Sequence, residues 1–156
     1  MNDILPPYAA TMGIRVLHPG GGTHGGPRGP VLEMAFASGL SGRPGMLHGG
    51  AISGLLDMCA SATLAHILTQ RGVTPQFKPI GITIDFLRGG LKQTTFARGR
   101  VTRIGRRVAT VMVEAWQEGE NEGGGPPGDA TKPDAGDPVI AAARLHFRLQ
   151  QDMAEG

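Results

Sequence analysis

At 156 residues the chain has room for one domain with a real core, and its formal net charge of +2 is too small to argue for nucleic acid. Aromatic residues are only 4% of the chain, which leaves few stacking platforms for single strands. The single cysteine, Cys59, excludes an internal disulfide and suits a reducing compartment.

The beginning, Met1 to Pro7, has no basic region followed by an apolar run, so no signal peptide is evident. No segment approaches the roughly 20 apolar residues needed to cross a bilayer. The expectation is a cytoplasmic protein with neither membrane nor nucleic acid as partner. Strands are predicted over Gly13–His18 and Val31–Ser38, separated by a glycine-rich stretch from Pro19 to Pro30. A long helix follows, opening at the His48-Gly49-Gly50 turn. Its apolar residues Ile52, Leu55, Leu56, Cys59 and Thr63 recur with the helical period.

Further strands are predicted over Ile80–Leu87, Thr94–Ile104, Val108–Gln117 and Val139–Leu149. In the first of these, Ile80, Ile82, Ile84 and Phe86 alternate with Gly81, Thr83 and Asp85, the period of a half-buried strand. Gly105-Arg106-Arg107 is a short turn expected of an antiparallel pair. The stretches near 19–30 and 118–138 are too poor in apolar residues to offset the entropy of ordering, so both are expected as mobile loops within one domain spanning 1–156. Strand, strand, helix, then four strands implies an α+β protein, a single antiparallel sheet with one helix laid across it.

The chemistry concentrates at that helix. Its second flank reads Gly50, Ser53, Gly54, Asp57 and Ser61, all small except the acid. A small-residue face can be approached closely, so Asp57 is expected to be walled in, and burying a carboxylate costs several kcal/mol unless something pairs with it or uses it. Glycines at the helix entry leave backbone N–H groups bare, a ready site for negative charge. An acid together with bare amides is the minimum equipment for hydrolysing an acyl group.

The motifs Gly45-Met46-Leu47-His48-Gly49-Gly50 with Asp57, then Ile82 to Arg88, Gly105 to Ala109 and the strand Ile140 to Phe147, occur in an order that resembles the hotdog-fold thioesterases of the phenylacetate-pathway (PaaI-like) type. The resemblance runs from about Met12 to Leu149. It implies a long central helix wrapped by a five- to six-stranded antiparallel sheet, with two subunits joined edge to edge and the active site between them. On this reading the protein is an acyl-CoA thioesterase that releases a free acid and coenzyme A, as a homodimer or dimer of dimers. Coenzyme A is then part of the substrate, and no cofactor is expected. Gly49 would supply the oxyanion-hole amide, His48 would brace the turn, and Asp57 of the neighbouring subunit would be base or nucleophile. Two positions depart from the pattern: Gly42 stands where related enzymes often carry Asn, and Pro79 where some carry Ser or Thr. Ser41, Ser53 and Ser61 are candidates to fill in.

Each residue also has a plainer reading. Asp57 could be a surface acid, His48 a helix-entry residue bonding nearby backbone, and Gly49 and Gly50 ordinary turn glycines. The histidines His18, His24, His66 and His146 show no metal-ligand spacing, and no metal is expected. Among the basic residues between Arg71 and Arg107, Arg98, Arg100 and Arg103 read as solvated faces of edge strands. Arg88, Lys92, Arg106 and Arg107 sit at turns, and the resemblance suggests the phosphates of coenzyme A as their partners. Two other functions remain open: a hotdog module that binds acyl-CoA without cleaving it, and a hydratase or dehydratase on the same fold. The thioesterase reading takes precedence because Asp57 is retained, and because His48 sits in a Gly-Gly context unsuited to a His–carboxylate pair.

Overall fold

A computed structural model describes residues 4–20, 28–118 and 139–150. A one-turn helix α1 (Pro7–Thr11) leads into strands β1 (Ile14–His18) and β2 (Arg28–Met34), a 3-10 turn over Ser38–Leu40, and the long helix α2 (Gly49–Gln70). Four more strands follow among the described residues: β3 (Phe77–Phe86), β4 (Thr95–Ile104), β5 (Val108–Trp116) and β6 (Val139–Leu149). All six pair antiparallel in one sheet of order β1-β2-β4-β5-β6-β3. One long helix held by a six-stranded antiparallel sheet is the hotdog architecture, as the resemblance implied.

Helix α2 buries Ile52, Leu55, Leu56, Cys59 and Thr63, the face its periodicity marks out. It lies chiefly on β2, β4 and β5, with little contact to β6 and β3. Thr63 fixes how closely it sits. Its Oγ1 donates to the Cys59 carbonyl at 2.7 Å, and its side chain fills a slot left by two glycines. A Cβ at Gly29 would come within 2.5 Å of Thr63 Cα, and one at Gly99 within 2.4 Å of Thr63 Oγ1.

Several expectations change on this frame. Strand β2 begins at Arg28 and ends at Met34, so Arg28–Pro30 belong to the sheet; residues 21–27 and 119–138, on which the expectation of mobile loops chiefly falls, lie outside the described residues. Arg98, Arg100 and Arg103 stand on β4, an interior strand, because the edges are β1 and β3. Helix α2 is long and apolar enough to cross a bilayer, contrary to expectation, although 67% of its apolar window is buried inside the protein. Strand β3 is not half-buried: Ile80, Ile82 and Phe86 are about half exposed, since β3 is an edge strand that the helix only partly covers.

Candidate active site

Helix α2 starts where it does because His48 caps it. His48 is extended (φ −70°, ψ 137°), and its Nδ1 accepts the Gly50 N–H at 2.8 Å. An accepting Nδ1 fixes the neutral imidazole with its hydrogen on Nε2. The His48 carbonyl takes the N–H groups of Ala51 and Ile52, at 3.0 and 3.2 Å. Of the four first-turn donors, only the Gly49 N–H has no partner among the described residues. The expectation of two bare glycine amides is therefore corrected: the capping imidazole occupies Gly50, and the anion-ready donor is Gly49 alone.

This turn is pinned on two sides. His48 N–H donates to the Leu40 carbonyl at 2.8 Å, and Leu47 N–H to that of Gly90 at 2.9 Å. The loop before it passes very close: a Cβ at Gly42 would lie 3.1 Å from His48 Cα. That contact gives the departure at this position a steric reason, because a side chain here must move the backbone of the capping residue.

Asp57 lies two turns further along, in a groove between α2 and the helix-facing side of β3. Ser53 and Gly54 line it from the helix, with Pro79, Gly81, Ile82 and Ile84 opposite. Asp57 is exposed and not walled in as expected, because no second element covers it in one chain, yet partial desolvation by these neighbours holds its pKa above the usual carboxylate value. Ser53 Oγ donates to the Gly49 carbonyl at 2.7 Å, so its proton is committed inside the helix. Ser61, half-buried and one turn past Asp57, is not among the residues lining this groove. Pro79, in contrast, stands directly in it.

The basic candidates separate. Arg88 lines a hollow at the helix entry together with His48, Gly49 and Phe86. Arg106 and Arg107 line another with Arg103, Thr110 and His146, where Thr110 Oγ1 and His146 Nδ1 are 3.1 Å apart. The register sets those two hollows at opposite ends of the sheet, roughly 30 Å apart in one chain. Lys92 is exposed on the connection from β3 to β4 and lines neither. Asp57 and Gly49 are also kept apart: eight residues of helix place them about 12 Å from each other along its axis.

Two further residues complete the surroundings. Cys59 is fully buried and its thiol is pushed up to about 12 by desolvation, which leaves it no nucleophilic role. Gln117, the last residue of the strand predicted over Val108–Gln117, lies just past β5, buried and hydrogen-bonded to the connection carrying Gly90. A glutamine closing a predicted strand carries no local signal that its side chain turns inward to hold a neighbouring loop. Among the described residues no cluster of His, Cys, Asp and Glu could hold a metal ion.

A sequence model of the thioesterase superfamily matches residues 44–123, the span from the turn before α2 to the end of β5 and just beyond. The chain belongs to the thioesterase superfamily. As a hotdog thioesterase it is a thioester hydrolase. Curated proteins give no match to it. Solved structures share its fold over almost the whole chain. A conserved protein of Pseudomonas aeruginosa is 20% identical with a TM-score of 0.67, covering 94% of this chain and 96% of the other. A thioesterase family protein of Silicibacter pomeroyi is 21% identical with a TM-score of 0.64, over 92% of this chain and 88% of its own. A point mutant of the phenylacetic acid degradation protein PaaI from Thermus thermophilus is 20% identical with a TM-score of 0.64, over 93% and 100%.

Proposed function

We propose that this thioesterase hydrolyses acyl-CoA thioesters in sites shared between two copies of the chain, with Asp57 from one copy and the Gly49 amide from the other. The observation that carries the reading is the separation of the two groups. Each suits its task, one as a partly desolvated carboxylate at an apolar groove and the other as an N–H without a partner among the described residues at a helix start. At about 12 Å along one helix they are too far apart to act on a single carbonyl. A two-fold partner reverses the helix and brings unlike ends together.

Strand β3 supplies the surface for that partner. It is an edge strand with Ile80, Ile82 and Phe86 exposed, the kind of edge that proteins pair or cover. Antiparallel pairing of β3 with its own copy extends the sheet and turns the two grooves toward each other. On this reading the pairing makes a homodimer, which a second surface could extend to a dimer of dimers.

In the reaction the thioester carbonyl oxygen takes the Gly49 N–H, which also lies at the positive end of the helix dipole. Asp57, ionised, either removes a proton from water as it adds to the carbonyl carbon or attacks that carbon itself, giving an anhydride that water then opens. Both routes expel the thiolate of coenzyme A, a good leaving group, and require no metal. Arg88 beside Gly49 and the pair Arg106–Arg107 are assigned to the phosphates, one from each end of the shared site; Lys92, exposed on the connection after β3, is a further candidate. Gly50 and Ser53 shape the walls.

Subunit mixing tests the reading. Asp57→Asn and Gly49→Pro are each expected to lose on the order of 100-fold or more in turnover, still measurable, of the CoA ester that wild type cleaves best, followed as free thiol. After exchange, verified by mass, a heterodimer holds both lesions in one site and leaves the other intact, so activity returns. No recovery despite exchange means that each site is built within one chain. A panel of aryl- and alkyl-CoAs that releases no thiol removes acyl-CoA as the substrate class.

A further inference from the structure

We infer that Gln117 is a positioning residue for the Gly49 amide, an inference that rests on the oxyanion role proposed for that amide. Gln117 follows β5, in the middle of the sheet, and is only 1% exposed. Its Oε1 accepts the Leu91 N–H at 2.9 Å and its Nε2 donates to the Leu91 carbonyl at 3.0 Å. The second Nε2 hydrogen goes to Thr95 Oγ1, also at 3.0 Å. One side-chain amide thus pairs with Leu91 as a neighbouring strand would. Its orientation is fixed, because the Leu91 N–H can only donate and the carbonyl only accept.

The restraint passes on through backbone. Gly90 accepts the Leu47 N–H at 2.9 Å, and Met46 bridges to Leu91 in antiparallel fashion. There is little slack at Gly90, where a Cβ would stand 3.2 Å from that of Leu47 and 3.4 Å from the Cδ1 atoms of Ile52 and Ile140. Leu47 is two residues from Gly49, and His48 between them is already committed to Leu40 and Gly50. Gln117 therefore ties the entry of α2 to a central strand, and the N–H that must point at the developing oxyanion inherits that frame. Catalytic geometry is sensitive at this level, since an error of about 1 Å can cost on the order of 100-fold in rate.

The test is a double-mutant cycle between Gln117→Leu and Gly49→Pro, read on the best CoA ester. Proline is well suited to the first position of a helix and replaces the N–H by a ring carbon that offers no hydrogen bond, and a Cβ at Gly49 has ordinary 3.5 Å contact with Phe86. Gln117→Leu is expected to lower kcat by roughly 10- to 100-fold with KM nearly unchanged, because an oxyanion contact acts in the transition state. In the Gly49→Pro background the same change should cost nothing further, as there is no amide left to aim. Gln117→Glu gives an independent arm that does not depend on the leucine variant folding. A neutral carboxyl again offers one O–H and one C=O to Leu91, and burial raises its pKa, so kcat relative to wild type at the same pH should recover as pH falls. Wild-type kcat in Gln117→Leu, or a full loss persisting in the Gly49→Pro background, overturns the inference and leaves the oxyanion assignment standing. Should Gly49→Pro alone turn over at the wild-type rate, the assignment itself falls and takes the inference with it.

Discussion

The Nδ1 of His48 holds the Gly50 N–H at 2.8 Å, and by doing so singles out Gly49 as the open donor of the helix start. A cap of this kind needs an accepting atom a short distance from the backbone, and asparagine supplies one as well as histidine does. His48→Asn is therefore expected to retain most of the stability and turnover, whereas His48→Ala should lose about 0.5–2 kcal/mol of stability as an N-cap deletion. Thermal melts and steady-state kinetics on both variants decide the role. Equal collapse of kcat in Asn and Ala, with melting unchanged, would make the imidazole a proton donor instead of a brace.

Asp57 carries a stability cost that its proposed use explains. Its folded pKa lies above the unfolded value, so the fold favours the protonated acid over the carboxylate. Stability then falls as pH rises from the unfolded pKa through the folded one, and the penalty is fully present above both. Asp57→Asn should thus melt higher than wild type at pH 7, with the difference vanishing below about pH 4. The same variant is expected to lose roughly 10²–10⁴ in kcat, the range for a positioned acid–base group. In wild type, kcat/KM should rise with pH through a value above that of an ordinary aspartate. A destabilised Asp57→Asn with near-normal turnover would point to a merely structural acid.

The slot around Thr63 makes a prediction about packing alone. Gly99→Ala places a methyl 2.4 Å from Thr63 Oγ1 and 3.0 Å from its Cβ, and overpacking of this kind costs typically 1–3 kcal/mol. Thr63→Ala removes the nearest atoms, so the double variant should recover part of the loss in a denaturation cycle. Strict additivity of the two single effects would show that the helix does not use this slot for its approach to β4.

The helix, the strands and the His48–Asp57 pattern were legible because each is written in local periodicity. Ile52, Leu55 and Leu56 face the sheet for the same reason that they recur at helical spacing. What local pattern does not carry is strand order. Ile80, Ile82 and Phe86 alternate like a covered strand, and only the return of β6 to pair with β3 leaves them at an edge. The same blindness put Arg98, Arg100 and Arg103 on edge strands when β4 is interior. The occupied Gly50 amide depends on a ring angle of His48, and the role of Gln117 on a loop passing within 3 Å of it. Neither leaves a trace in the spacing of residues.

Strand β3 also sets an order in time. On the ribosome it emerges ahead of β4 and β5, and its neighbour among the described strands, β6, follows both of them in the chain. Through that interval Ile80, Ile82 and Phe86 travel on a strand with neither edge satisfied, the state in which nascent chains stick to one another. Pro79, which has no N–H to offer a passing strand, and the register break between Pro79 and Gly81 blunt one end of it. The proline that stands where some related enzymes carry Ser or Thr thus also withholds a hydrogen-bond donor from the end of this strand.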